Sequence, residues 1–89
     1  MNNISTGNNI SVYPDPAMTE LNIIFGKTGI SAPAEIRVID ITGKELISTR
    51  MTISNGKALP VNVSSLAPGI YFVKVVTEKE TEVVKFIKQ

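Results

Sequence analysis

Ile36-Arg37-Val38-Ile39-Asp40-Ile41-Thr42-Gly43-Lys44-Glu45-Leu46-Ile47 is the stretch that decides the fold. Ile36 and Val38 point one way while Glu35 and Arg37 point the other, the period of two that a half-buried strand requires. Asp40-Ile41-Thr42-Gly43-Lys44 interrupts that period. An Asp carboxylate can accept from the amide two residues on, and Gly takes the positive φ that a tight hairpin needs. The alternation then resumes as Ile47, Thr49, Met51 and Ile53, a strand over residues 45–53. The first strand of the pair is read over residues 34–41.

Working outward, the same grammar repeats. Ile10-Ser11-Val12-Tyr13 is a short strand stopped by Pro14-Asp15-Pro16-Ala17, because two prolines that lack an N–H force the chain out of a ladder. Glu20-Leu21-Asn22-Ile23-Ile24-Phe25 places Leu21, Ile23 and Phe25 on one face. Residues 26–33 carry two Gly and one Pro and read as a loop. Asn55-Gly56 is a strong short hairpin signal. Residues 58–63 follow, with Leu59, Val61 and Val63 alternating, and Pro60 on the other face predicts an edge position or a bulge. Ser64-Ser65-Leu66-Ala67-Pro68-Gly69 is a turn-rich link whose Leu66 plugs the bottom of the core. Residues 70–77 form the most hydrophobic strand, expected to be central. A charged turn, Glu78-Lys79-Glu80, leads to a last strand over residues 81–88.

Composition agrees. Twelve Ile, nine Val and eight Thr stand against four Leu and five Ala in 89 residues, and stiff β-branched side chains favour strands over helices. No helix of ten residues and no internal repeat is visible. The expectation is an all-β protein, a seven-stranded antiparallel immunoglobulin-like β-sandwich. It occupies residues 10–89, preceded by an Asn-rich lead-in over residues 1–9 that reads as a flexible linker or a cloning remnant.

The absences narrow the function. With no Cys and no His there is no zinc finger, haem ligand, thiol nucleophile or Ser-His-Asp triad. Nine basic against eight acidic residues leave no electrostatic footprint for nucleic acid. No apolar run approaches bilayer length, and the first residues lack the basic and apolar regions of a signal peptide. The carboxylates Glu20, Glu35, Glu45, Glu78, Glu80 and Glu82 read as solvated strand exteriors and turns, and Asp40 as a turn cap. Asp15 is at most a lone calcium ligand, outside any D-x-D-x-D spacing. Neither a catalytic residue, a metal site nor a cofactor is expected. Tyr13, Tyr71, Phe25, Phe72 and Phe86 could stack on sugar rings if they formed an exposed row, but most alternate with Val and Ile as core residues do. Phe72 and Phe86 are the two whose exposure decides it.

The order of the blocks is more specific than any one of them. Val12-Tyr13-Pro14-Asp15-Pro16-Ala17 comes first and Asp40-Ile41-Thr42-Gly43-Lys44 second. Val61-Asn62-Val63-Ser64-Ser65-Leu66-Ala67-Pro68-Gly69-Ile70-Tyr71-Phe72-Val73-Lys74-Val75 is third, and Val84-Lys85-Phe86-Ile87-Lys88-Gln89 ends the chain. Together they resemble the C-terminal sorting domain of type IX secretion cargo, the type A or Por secretion tail family. That family opens near Y-P-N-P, carries D-x-x-G-[KR] and S-x-L-x-x-G-x-Y blocks, and closes on an apolar strand with lysines. The resemblance covers residues 10–89. Pro14, Asp15, Pro16, Asp40, Gly43, Leu66, Gly69 and Tyr71 fall on its turn motifs, with Gly43 and Gly69 as turn formers. Asp15 stands where the family usually has Asn, and either side chain can cap the following turn.

The resemblance implies a domain that does no chemistry and directs its cargo through the type IX outer-membrane translocon and shuttle components. A sortase-like peptidase would then remove it at or before residues 2–9. The cargo would pass through the periplasm to the surface, or to the medium, of a Gram-negative bacterium. Translocon recognition falls on Lys85, Phe86, Ile87, Lys88 and Gln89, read as an open edge strand that offers a docking surface. Lys85→Ala and Lys88→Ala are expected to leave folding nearly intact. Open edges also predict a homodimer or strand swap in the isolated domain. The competing reading from the sandwich alone is an adhesion or carbohydrate-binding module. A catalytic accessory domain is disfavoured by the missing Cys, His and carboxylate pairing.

Overall fold

The computed structural model describes residues 10–25, 31–54, 57–78 and 81–89. Seven strands run in chain order: β1 (Ile10–Tyr13), β2 (Glu20–Phe25), β3 (Ser31–Asp40), β4 (Glu45–Ser54), β5 (Ala58–Asn62), β6 (Gly69–Val76) and β7 (Thr81–Lys88). They form a three-stranded sheet, β1-β2-β5, and a four-stranded sheet, β4-β3-β6-β7. All named pairings are antiparallel. The protein is the seven-stranded antiparallel sandwich that the alternation predicts.

The period-two pattern builds the core. Leu21, Ile23 and Phe25 from β2, Ile36 and Val38 from β3, and Val73 and Val75 from β6 are fully buried, joined by Ile10, Ile53, Val61, Val63 and Phe86. Burial of each such side chain contributes about 1.5–3 kcal/mol over leaving it in water. With no disulfide available, that packing carries the stability. β6 lies between β3 and β7, the central position expected of it. Leu66 is buried beneath the sheets, as the core plug expected of it. Pro60 lies exposed in β5, an edge strand, where a residue without an N–H leaves no ladder bond unmade.

Three expectations change. Residues 31–33 are the start of β3 rather than loop, and Pro33 pairs in register with Thr52. Ser31 and Ala32 supplied too little hydrophobic contrast for alternation to register. The hairpin signal at Asn55-Gly56 falls on two residues outside the described part, and β4 and β5 on either side belong to different sheets and do not pair with each other. Lys57 N–H donates to Ser54 O at 3.1 Å. Relative to the constant-type immunoglobulin arrangement, in which the fourth strand pairs with the fifth, β4 has moved across to pair with β3. Its long ladder with β3, from Ser31↔Ser54 to Ile39↔Glu45, outweighs what five residues of β5 could offer. Glu82 is the third change, for it is buried on the inner face of β7, not on a strand exterior.

The turn between β3 and β4 is built as its sequence dictates. Asp40 Oδ1 accepts from Thr42 N at 2.9 Å, Thr42 Oγ1 at 2.6 Å and Lys44 N at 3.0 Å. Gly43 N donates to Asp40 O at 3.0 Å, and Gly43 has φ +92°. A Cβ at that φ crowds the backbone, costing about 1–2 kcal/mol. Gly43→Ala is therefore expected to lower Tm by roughly 4–8 °C for each kcal/mol in a domain of this size, read by thermal melting with the sheet signal retained at low temperature.

A C-terminal pole that gathers the motifs

Residues distant in sequence meet at one end of the sandwich. β3, β5 and β7 finish there, while β2, β4 and β6 begin there, as shown by Glu20↔Asn62, Asp40↔Tyr71, Tyr71↔Phe86 and Gly69↔Lys88. Each of the four sequence blocks therefore contributes to this pole. Asp40, Tyr71 and Phe86 sit side by side on three neighbouring strands.

The Pro-rich block ties the chain end down. Ala17 is fully buried and bridges in parallel to Lys88. Ala17 N donates to Ile87 O at 2.7 Å, and Gln89 N donates to Ala17 O at 2.8 Å. Ile87 N donates to Asp15 Oδ1 at 3.0 Å. Asp15 thus caps the last strand and not the turn after it, contrary to expectation. The bond needs only a side-chain acceptor oxygen, which Asn also has, and so the departure from Y-P-N-P leaves it intact. The Tyr13–Pro14 and Asp15–Pro16 bonds are both cis.

The third block supports the same corner. Asn62 Oδ1 accepts from Ser64 N at 2.9 Å and Ser64 Oγ at 2.7 Å, and Leu66 N donates to Val63 O at 3.0 Å. Tyr71 donates its hydroxyl to Ala67 O at 2.5 Å, a Tyr at the start of a strand bonding back to the preceding link. Its ring stacks on Phe86 with centroids 5.8 Å apart. The spacing of Ala67 and Tyr71 carried this signal, and sequence reading missed it. Gly69, expected as a turn former, is the first residue of β6 and has no positive φ. A Cβ there would meet the Tyr71 ring and hydroxyl at 3.8–3.9 Å, ordinary contact. Its turn role is taken by Asn62 and the Ser64–Leu66 bend.

The five terminal residues divide in two. Lys85, Ile87 and Gln89 are exposed; Phe86 and Lys88 are buried. Lys88 Nζ donates to Leu66 O at 3.0 Å and to Gln89 O at 3.3 Å. The expectation that Lys88→Ala spares folding is corrected, since its ammonium ties the last strand to the inter-sheet link. Parity gave the warning: Lys88 shares its face of β7 with Phe86. Nor is the β7 edge open along its length, because the Asp15–Ala17 bonds occupy Ile87 and Gln89.

Of the five aromatics, Phe25, Tyr71 and Phe86 are buried, Phe72 is half-buried and Tyr13 alone is exposed. There is no aromatic row for sugar stacking. Among the described residues no three metal-ligating side chains gather. A groove of about 300 Å³ at the opposite end includes Glu35, Arg50 and Glu78, and Glu35 there is already held by Arg37 at 2.5 Å.

The Asp40 carboxyl titrates below its ordinary range. The Thr42 hydroxyl, opposed by desolvation and assisted by the Lys44 and Thr42 amides and the Lys44 charge, holds it below its ordinary value of 3.8.

The architecture defines a small β-sandwich module whose distinguishing residues converge where its chain ends. The family model for the secretion system C-terminal sorting domain matches residues 11–89, and the chain belongs to that family: it is a type IX secretion C-terminal sorting domain. A domain of this kind marks its protein for export by that system. None of the curated proteins matches the chain.

Two outcomes follow from the pole's bonds. Lys88→Ala is expected to cost about 2 kcal/mol by leaving the Leu66 carbonyl without its charged donor, whereas Lys85→Ala stays within about 0.5 kcal/mol. Urea denaturation of both variants reads the difference. A depressed folded-state pKa means that Asp40 stabilises the fold above 3.8, and that this contribution is lost as pH falls through that value and below. Asp40→Asn should flatten the acid limb of a Tm-against-pH curve while lowering Tm at neutral pH.

Proposed function

We propose that the C-terminal pole is the part of this domain that the outer-membrane type IX translocon and its shuttle components read, and that the domain is a folded address with no catalysis of its own. The observation that carries this is convergence. Pro14, Asp15, Pro16, Asp40, Gly43, Leu66, Gly69, Tyr71 and residues 85–89 all belong to one end of the sandwich. Physical jobs account for most of them: they fix the last strand in place. The side chains that this scaffolding presents outward are Lys85, Ile87 and Gln89, and recognition rests on these, with Phe86 and Lys88 holding them.

Removal by a sortase-like peptidase is assigned to a bond at or before residues 2–9, which lie outside the described residues. Their four Asn, with Gly, Ser and Thr, suit the extended segment that a protease grips. The route is periplasm first, then the surface or medium of a Gram-negative cell. In isolation the open β4 edge can pair with a second copy. The carbohydrate-binding alternative loses its basis with the buried aromatics.

Fusion of residues 1–89 behind a periplasmic reporter, expressed in a host with a working type IX system, tests this. The reporter is expected at the surface or in the medium, and Lys85→Ala should reduce its yield there. A folded wild-type fusion that stays in the periplasm sinks the reading.

A further inference from the structure

The six large hydrophobics that are exposed among the described residues, Tyr13, Met18, Ile41, Leu46, Ile70 and Ile87, all lie toward the C-terminal pole. Register shows which of them share a surface. On the outer face of the four-stranded sheet, Ile70 sits opposite Ile87. In the next row Ile39, Phe72 and Lys85 lie side by side, and beyond them Arg37, Lys74 and Val83. Ile70 is 46% and Ile87 43% exposed, while Ile39 and Phe72 are half-covered. The outer face of the three-stranded sheet differs in charge: Tyr13 and Ile24 lie there among Ser11, Glu20, Asn22, Ala58, Pro60 and Asn62, and its strands carry no Lys or Arg.

The charges on this face are unevenly met. Arg37 is engaged by Glu35 at 2.5 Å and Glu45 at 3.6 Å. Lys74 and Lys85, diagonal neighbours on β6 and β7, have no carboxylate partner among the described residues. Adjacent like charges on a sheet are unfavourable. Two lysines beside four apolar side chains complement a surface with carboxylates set next to apolar groups. A second copy is a poor match, because a two-fold contact through this patch would set lysines against lysines. An anionic membrane is a poor match too, since the chain's net charge is only +1 and two cations attract such a surface weakly.

We infer that Ile39, Ile70, Phe72 and Ile87, with Lys74 and Lys85, form the docking face for a protein partner that presents apolar side chains flanked by Asp or Glu. This inference rests on the sorting reading above and extends it from the chain end to a sheet face that β3 and β6 help to build. The contact is to side chains standing off the sheet, not to the backbone of the β7 edge, whose end the Asp15–Ala17 bonds occupy.

The test uses the reporter fused to residues 1–89 in the same host, with three variants. Lys74→Glu/Lys85→Glu reverses the charge, Ile70→Thr/Ile87→Thr removes apolar surface while keeping β-branched residues, and Glu20→Lys changes charge on the opposite sheet. The first two are expected to fold, by circular dichroism and melting, and to lose export by about tenfold or more, as like charges and lost burial at an interface predict. Glu20→Lys should export like wild type. Should either double variant fail to fold, Lys85→Glu alone, at an exposed position, reads the same contact. Wild-type export with undiminished export of the folded double variants overturns the docking face and leaves sorting standing. Retention of the wild type overturns the sorting reading and this face with it. Sedimentation of the purified chain with phosphatidylglycerol vesicles at physiological salt, abolished by Lys74→Glu/Lys85→Glu, overturns the protein partner in favour of lipid. A concentration-dependent dimer dissolved by Ile70→Thr/Ile87→Thr overturns it in favour of a second copy.

Discussion

The structure depends on holding its last strand at both sides of one end. Asp15 and Ala17 bond the outer edge of β7 at Ile87 and Gln89, and Lys88 reaches Leu66 on the link between β5 and β6. A sandwich without disulfides has only its core to join its sheets, and a terminal strand is where such a fold frays first. Here four main-chain or charged bonds fall within three residues of the end. The order of the motifs in the chain follows from that requirement. One block supplies the acceptor and donor that bind the edge, another supplies the carbonyl that takes the lysine, and the strand itself supplies Phe86 to stack on Tyr71.

The scaffold and the surface it displays are thereby separated by parity. Along β7, Glu82, Phe86 and Lys88 face inward and are buried, while Lys85 and Ile87 face out. The same alternation on β6 buries Tyr71, Val73 and Val75 and leaves Ile70, Phe72 and Lys74 on the other side. A motif in such a strand mixes two kinds of residue that a linear pattern cannot distinguish. Gly69 and Tyr71 show the mixture again: Tyr71 anchors the corner, whereas Gly69 is strand backbone in an ordinary conformation.

Much of the fold was legible because alternation is a local signal. Leu21, Ile23 and Phe25, or Ile36 and Val38, announce a buried face without knowledge of any partner. The turn at Asp40–Gly43 was legible for the same reason, since its bonds join residues at most four apart. What failed was non-local. Asn55-Gly56 encodes a turn but not which strands it joins, and the choice of β4 for β3 was made by a ladder set elsewhere. Asp15 was assigned to its own neighbourhood, while its partner lies at Ile87. Lys88 and Glu82 were placed outside because charge suggests water. Their position beside Phe86 in the two-residue period says otherwise, and the period prevails. Of the pole, the membership was readable and the division into support and display was not.

β1 begins at Ile10, paired with Phe25, at the end of the sandwich opposite to Gln89. Whatever part of the chain precedes Ile10 departs from that far end, with the length of the strands between it and the converged motifs. The sandwich therefore has a polarity: one end joins Ile10 to whatever precedes it, and the other gathers Asp15, Tyr71 and Lys88. On the proposed reading, a label of this kind would be held out from its passenger by the length of its own strands, which would make the domain a spacer as well.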